Sequence, residues 1–151
     1  MCIRDRKKLG ERQIAIDCDV LEADGGTRTA SITGGFVALA LALGKLKADG
    51  KLTEGVIREP VAATSVGLLD DQLLLDLMYL EDSRAEVDLN MVATRSGKVI
   101  EVQGTAEGAP VARKDIDRMM DMALMGIDRL THIQEKALAA SGVDLSSLLI
   151  K

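Results

Sequence analysis

The run Ala23-Asp24-Gly25-Gly26-Thr27-Arg28-Thr29-Ala30-Ser31-Ile32-Thr33-Gly34-Gly35 constrains this chain more than any other segment. Two adjacent glycines permit a tight turn, because residues without Cβ reach backbone conformations closed to others. Arg28 follows, then small and hydroxyl residues that can open a helix. The apolar stretch Phe36 to Leu43 continues that helix, predicted over about 31–48 and ended at Asp49-Gly50. Backbone N–H groups, the positive end of a helix dipole and a guanidinium fork then converge on one place suited to an oxyanion. Taken alone, the same turn also describes a helix cap followed by a surface arginine.

Upstream, Ile14-Ala15-Ile16-Asp17-Cys18-Asp19-Val20-Leu21 alternates apolar and polar residues and predicts a strand over about 13–21. Strand, glycine turn and helix is the order that presents helix N–H groups to phosphate. With that order in place, IDCDVLEADGGTRTASITG resembles the phosphate-binding segment of the bacterial ribonuclease PH family of phosphorolytic 3′→5′ exoribonucleases. LLDLMYLEDSRAEVDLN, from Leu74 to Asn90, resembles that family's acidic motif. Val99 to Pro110 resembles its late strand and the turn before its last helix. The resemblance runs from about Lys8 to Leu138.

Asp76, Asp82 and Asp88 recur every six residues across a predicted strand, turn and strand. Carboxylates brought together repel, so a proton or a divalent cation must neutralise at least one of them. From the residues alone, Asp82 capping a turn and Asp88 facing water is the alternative. The resemblance implies that Asp76 and Asp82 are catalytic and that Asp88 supports them, with Mg²⁺ or Mn²⁺ on the three acids. It implies a phosphate site at Gly26, Thr27 and Arg28, with inorganic phosphate as co-substrate. Met78, where the family often has an acid, and Leu89, where it usually has Met, depart from the pattern without touching these residues. The implied activity is tRNA nucleotidyltransferase chemistry that trims tRNA precursor 3′ ends and releases nucleoside diphosphates. The implied partners are RNA and other copies of the chain in a hexameric ring, and the implied setting is the cytoplasm, with no membrane.

Composition bounds these expectations. The chain has 151 residues, 47% of them hydrophobic, with one Tyr, one Phe and no Trp, so its core must be aliphatic. Its net charge of −5 weighs against a nucleic-acid binder, whose usual footprint is basic. Several acids facing metal would reduce that objection. No apolar run reads as long and uncharged enough to span a bilayer. Cys2 and Cys18 have no metal-ligand spacing, which suits a reduced compartment. His132 is predicted to pack or to face solvent.

Met1 to Arg6 matches nothing in the family and is similar to a translated sequencing-library adapter fused to a truncated reading frame; a natural disordered N-terminus is the other reading. Residues 7–140 then correspond to the C-terminal part of a ribonuclease PH domain. Residues 141–151 read as a tail. The resemblance implies a missing N-terminal half bearing further RNA- and phosphate-binding arginines, and hence an inactive chain.

Further strands are predicted at 61–69, 72–77, 86–94 and 99–103, with hairpin turns at Asp70-Asp71 and Arg95 to Lys98. A last helix over 113–140 carries the stripe Ile116, Met119, Met120, Ala123, Ile127, Leu130 and Ile133. The fold implied is α+β, ribosomal protein S5 domain 2-like, a mostly antiparallel sheet with helices packed on one face. A catalytically silent ring subunit of the exosome type is the competing reading. Retention of Arg28, Asp76 and Asp82 together argues against it.

Overall fold

The computed structural model describes residues 6–151. The expected leader, residues 1–6, lies outside them except for Arg6, which opens a short helix α1 (Arg6–Leu9). Then come α2 (Thr27–Ala48), β1 (Val61–Leu69), β2 (Gln72–Leu75), α3 (Tyr79–Asp82), β3 (Val87–Thr94), β4 (Val99–Ala106) and α4 (Arg113–Ala140), followed by a 3₁₀ turn at Leu145–Leu148. The four strands form one antiparallel sheet in the order β2-β1-β3-β4. The α+β fold expected for the S5 domain 2-like class is the one observed.

One detail of its layering differs. Alternate residues of a strand face opposite sides of a sheet. Ala62, Val66 and Leu68 of β1 and Leu89, Met91 and Ala93 of β3 pack with Met119, Ala123 and Ile127 of α4. The intervening Val61, Ala63 and Val92 pack instead with Phe36, Leu39 and Leu43 of α2. The two helices therefore cover opposite faces, where one face was expected. Every residue of β1 except Leu69 is buried because both sides are occupied.

The helices meet where β1 runs beyond its short partner. β2 pairs only with Val66 to Leu69, so the first half of β1 would leave polar backbone groups unpaired at an edge. Thr33 of α2 supplies both partners there: its hydroxyl accepts from the Ala63 N–H and donates to the Ala63 carbonyl, each at 3.0 Å. Gln134 of α4 donates to the carbonyls of Thr33 (2.9 Å) and Val61 (3.0 Å). The apolar stripe of α4 consequently ends earlier than expected. Ile133 is exposed, and the buried line continues through Thr131, Gln134 and Leu138.

Further expectations change. Residues 13–21 form no strand, since no strand among the described residues lies alongside to complete a ladder; Ile16 packs on Gly35 instead, and Val20 and Leu21 are exposed. α2 begins at Thr27, four residues before the predicted start. At 22 residues it is long and apolar enough to cross a membrane, contrary to the sequence reading, although Phe36, Leu39, Ala40 and Leu43 are spent on the core. Residues 141–151, read as a tail, pack against the rest of the molecule. Leu145 and Leu148 are buried in the α2 core, and Ile57 bridges to Leu149.

Candidate functional site

The site forms where the N-terminus of α2 opens over the polar half of one sheet face. Gly26 precedes the helix with φ 73° and ψ 24°, a left-handed conformation that glycine adopts without strain. Gly25 has a different constraint: a Cβ there would lie 2.0 Å from the Leu77 carbonyl oxygen. The turn is thus pressed against the β2–α3 connection, and Asp24 ties the two together. Its carboxylate accepts from the N–H groups of Tyr79 (2.5 Å) and Gly25 (2.8 Å). Those two bonds, Tyr79 first, hold its pKa below the usual value.

The first turn of α2 lacks both a side-chain cap and an acid. Its hydroxyls bond carbonyls, Thr29 to Gly26 and Ser31 to Thr27, each at 2.8 Å. The positive end of the helix is therefore left for an outside acceptor. Beneath it lies a pocket of about 200 Å³ lined by Gly26, Thr27 and Arg28 from the turn and by Asp82, Asp88 and Asn90. Ser65 reaches it from β1, and Gln103 and Thr105 from β4. Register explains the lining. Ser65 pairs with Asn90, Asn90 with Gln103 and Asp88 with Thr105, so these side chains share the face opposite the α4 core.

The acids divide into two places. Asp82 ends α3 and Asp88 stands on β3, both lining the pocket. Burial raises the pKa of Asp88, the nearby Asp82 carboxylate and Glu107 raise it further, and the hydrogen bond from Asn90 opposes them. The Asn90 amide lies 3.3 and 3.0 Å from the two oxygens of Asp88. Asp76 sits instead beside the glycine turn, its Oδ1 4.0 Å from where a Gly26 Cβ would be. It has φ 62°, unusual for a residue with a side chain. Ser65 fixes that backbone: its carbonyl accepts from the Asp76 N–H (2.9 Å) and its hydroxyl from the Leu77 N–H (3.2 Å).

No group of three His, Cys, Asp or Glu residues close enough for a metal ion occurs among the described residues. The expected cluster of Asp76, Asp82 and Asp88 thus resolves into a pair plus a neighbour. A pair is still a suitable donor set, since Mg²⁺ keeps several waters and uses one or two carboxylates together with substrate phosphate.

Arg28, at the pocket rim, forms an ion pair of 2.5 Å with Glu101 of β4. The sequence reading gave no site role to Glu101, Ser65, Asn90, Gln103 or Thr105. Strand alternation held the signal for all five, but reading it required knowing the register between strands. His132 is exposed, with its Nε2 3.1 Å from Arg95 and its Nδ1 2.7 Å from the Asp128 carbonyl oxygen.

Residues 59–126, which hold both aspartates of the pocket, match the 3′ exoribonuclease family, domain 2. Ribonuclease PH of Neisseria meningitidis is 57% identical over 137 residues, covering 91% of this chain and 57% of that protein. Ribonuclease PH of Exiguobacterium sibiricum is 55% identical over 135 residues (89% and 54%), and that of Saccharopolyspora erythraea 56% over 140 residues (92% and 55%). The resemblance to ribonuclease PH is plain. It takes in the glycine turn, the acids and β4 alike. The chain spans about half the length of these ribonuclease PH relatives.

Proposed function

We propose that this chain carries the phosphate- and metal-binding part of a phosphate-dependent 3′→5′ exoribonuclease that trims tRNA precursor 3′ ends. The observation supporting this most is the shared pocket: the uncapped α2 N-terminus with Arg28 and the Asp82–Asp88 pair open onto the same 200 Å³ space. An anion donor set and a carboxylate pair in one pocket suit a reaction between two anions. Its main demand is positioning and charge neutralisation.

In this reading the N–H groups of Gly26 and Thr27 and the Arg28 guanidinium bind inorganic phosphate. A phosphate oxygen attacks the phosphorus of the 3′-terminal linkage. The bond from phosphorus to the 3′-oxygen of the preceding nucleotide breaks, that oxygen takes the proton given up by the attacking hydrogen phosphate, passed on through the Asp82 carboxylate, and a nucleoside diphosphate leaves. The RNA ends one nucleotide shorter. A divalent cation on Asp82 and Asp88, Mg²⁺ or Mn²⁺, would offset charge on the phosphodiester. Asp76 completes the site from the turn side, held there by Ser65.

The working protein is a cytoplasmic homo-oligomer, a hexameric ring. β4 supports the oligomer, being an edge strand among the described residues, exposed along all eight positions and presenting Val99, Ile100 and Val102. The deciding experiment uses the chain extended to the full length of its relatives and a tRNA precursor with a 3′ trailer. Nucleoside diphosphates should appear only when inorganic phosphate is present. Nucleoside monophosphates, or release without phosphate, would overturn the reading.

A further inference from the structure

We propose that Glu101 is a positioning residue for phosphate, acting through Arg28; the inference rests on the anion site proposed above. Glu101 lies on the pocket face of β4, opposite Val92, 73 residues from Arg28 in sequence. Its Oε1 takes the Nη2 of Arg28 at 2.5 Å, and the two side chains are 45% and 48% exposed. An exposed ion pair of this kind contributes little to folding. A carboxylate next to an anion site is also an electrostatic disadvantage. Its placement makes sense if it orients the guanidinium.

The geometry supports that role. Arginine presents donors on more than one edge of a planar fork. Glu101 takes one nitrogen, and the Arg28 side chain makes no other hydrogen bond among the described residues. The remaining edge is left for a second oxyanion. A free arginine side chain would lose rotamer freedom on gripping phosphate, whereas one already pinned by Glu101 loses less. Glu101 also links the two walls of the pocket. Gly26 and Thr27 lie on the α2 side, and Gln103 and Thr105 follow Glu101 at alternate positions along β4.

Titration of the 151-residue chain with inorganic phosphate, followed through the backbone amide resonances of Gly26 and Thr27, tests this without requiring turnover. Wild type should saturate. Glu101→Ala should weaken binding at least tenfold, whereas Glu101→Gln, which keeps an acceptor oxygen at the same reach, should stay within threefold of wild type. Arg28→Ala should bind as weakly as Glu101→Ala or more so. Binding lost in Arg28→Ala but unchanged or tighter in Glu101→Ala overturns this inference alone, because the carboxylate would then be a bystander or a competitor. A wild-type chain that does not saturate overturns the anion site and the inference with it.

Discussion

Around the pocket, the two faces of the sheet are built from the same strands and do opposite work. Leu89, Met91 and Ala93 of β3 point into the aliphatic core beneath α4. Asp88 and Asn90, between and beside them, point into the pocket beneath the α2 N-terminus. On β1, Val66 belongs to the first face and Ser65 to the second. The period-two geometry of a strand thus lets the packed face hold the polar face still. A site made of short side chains such as Ser, Asn and Asp has little internal slack, and its precision is inherited from the packing behind it.

That comparison predicts separable effects. The largest lies on the core face. Ile127→Ala removes a side chain that is 1% exposed and should destabilise the chain by about 2–5 kcal/mol. Denaturant unfolding would measure this, and phosphate affinity in the folded population should fall by far less. Coupled losses of stability and affinity at equal magnitude would break the distinction between faces. Next is Arg28→Ala. Losing a charge-assisted contact costs about 1.5–3 kcal/mol of phosphate binding, roughly tenfold to a hundredfold or more, with little change in the unfolding midpoint. Ser65→Ala should show a smaller, mixed effect. It leaves the Leu77 N–H without its partner and should cost about 1 kcal/mol of stability while loosening the backbone of Asp76.

The smallest effects concern pH, and they have opposite signs. The Asp88 pKa is raised on folding, so the folded chain binds more protons there than the unfolded chain does. Stability from this group is present in acid and is lost as pH rises through its raised pKa. Asp88→Asn should therefore gain on wild type above about pH 4, as followed by thermal unfolding at stepped pH. Glu59, far from the pocket, behaves the other way. Hydrogen bonds from Lys98, Ser96 and Thr94 lower its pKa from 4.5 to about 2. Its contribution is present above pH 4.5 and is lost as pH falls toward 2. Glu59→Gln should flatten that acid limb slightly.

The order of elements was legible because helix and strand periods are local properties. Asp70-Asp71 was readable as a hairpin turn, and both residues do take positive φ, 50° and 60°. Quantities set by partners were not readable. Residues 13–21 alternate like a strand, yet alternation specifies a face and not a neighbour. The layering failed for the same reason: nothing in the apolar pattern of α2 or α4 says which face each takes. In the site, the family resemblance rather than the spacing singled out Asp76, Asp82 and Asp88; that Asp82 and Asp88 share a pocket while Asp76 has a distinct setting depends on a left-handed backbone held by Ser65. Alternation along β4 sets the face of Glu101 but not its partner, since Arg28 lies 73 residues away in sequence.

Whether the glycine turn and the acid pair form one site is tested most directly by a Mn²⁺ titration of the chain in the presence of inorganic phosphate. Paramagnetic broadening of backbone amides should be strongest at Asp82, Asp88 and Asn90 and extend across the pocket to Gly26 and Thr27. Asp82→Asn or Asp88→Asn should abolish it. Broadening centred elsewhere, on Asp17 and Asp19 for example, or broadening that survives both substitutions, would contradict the account.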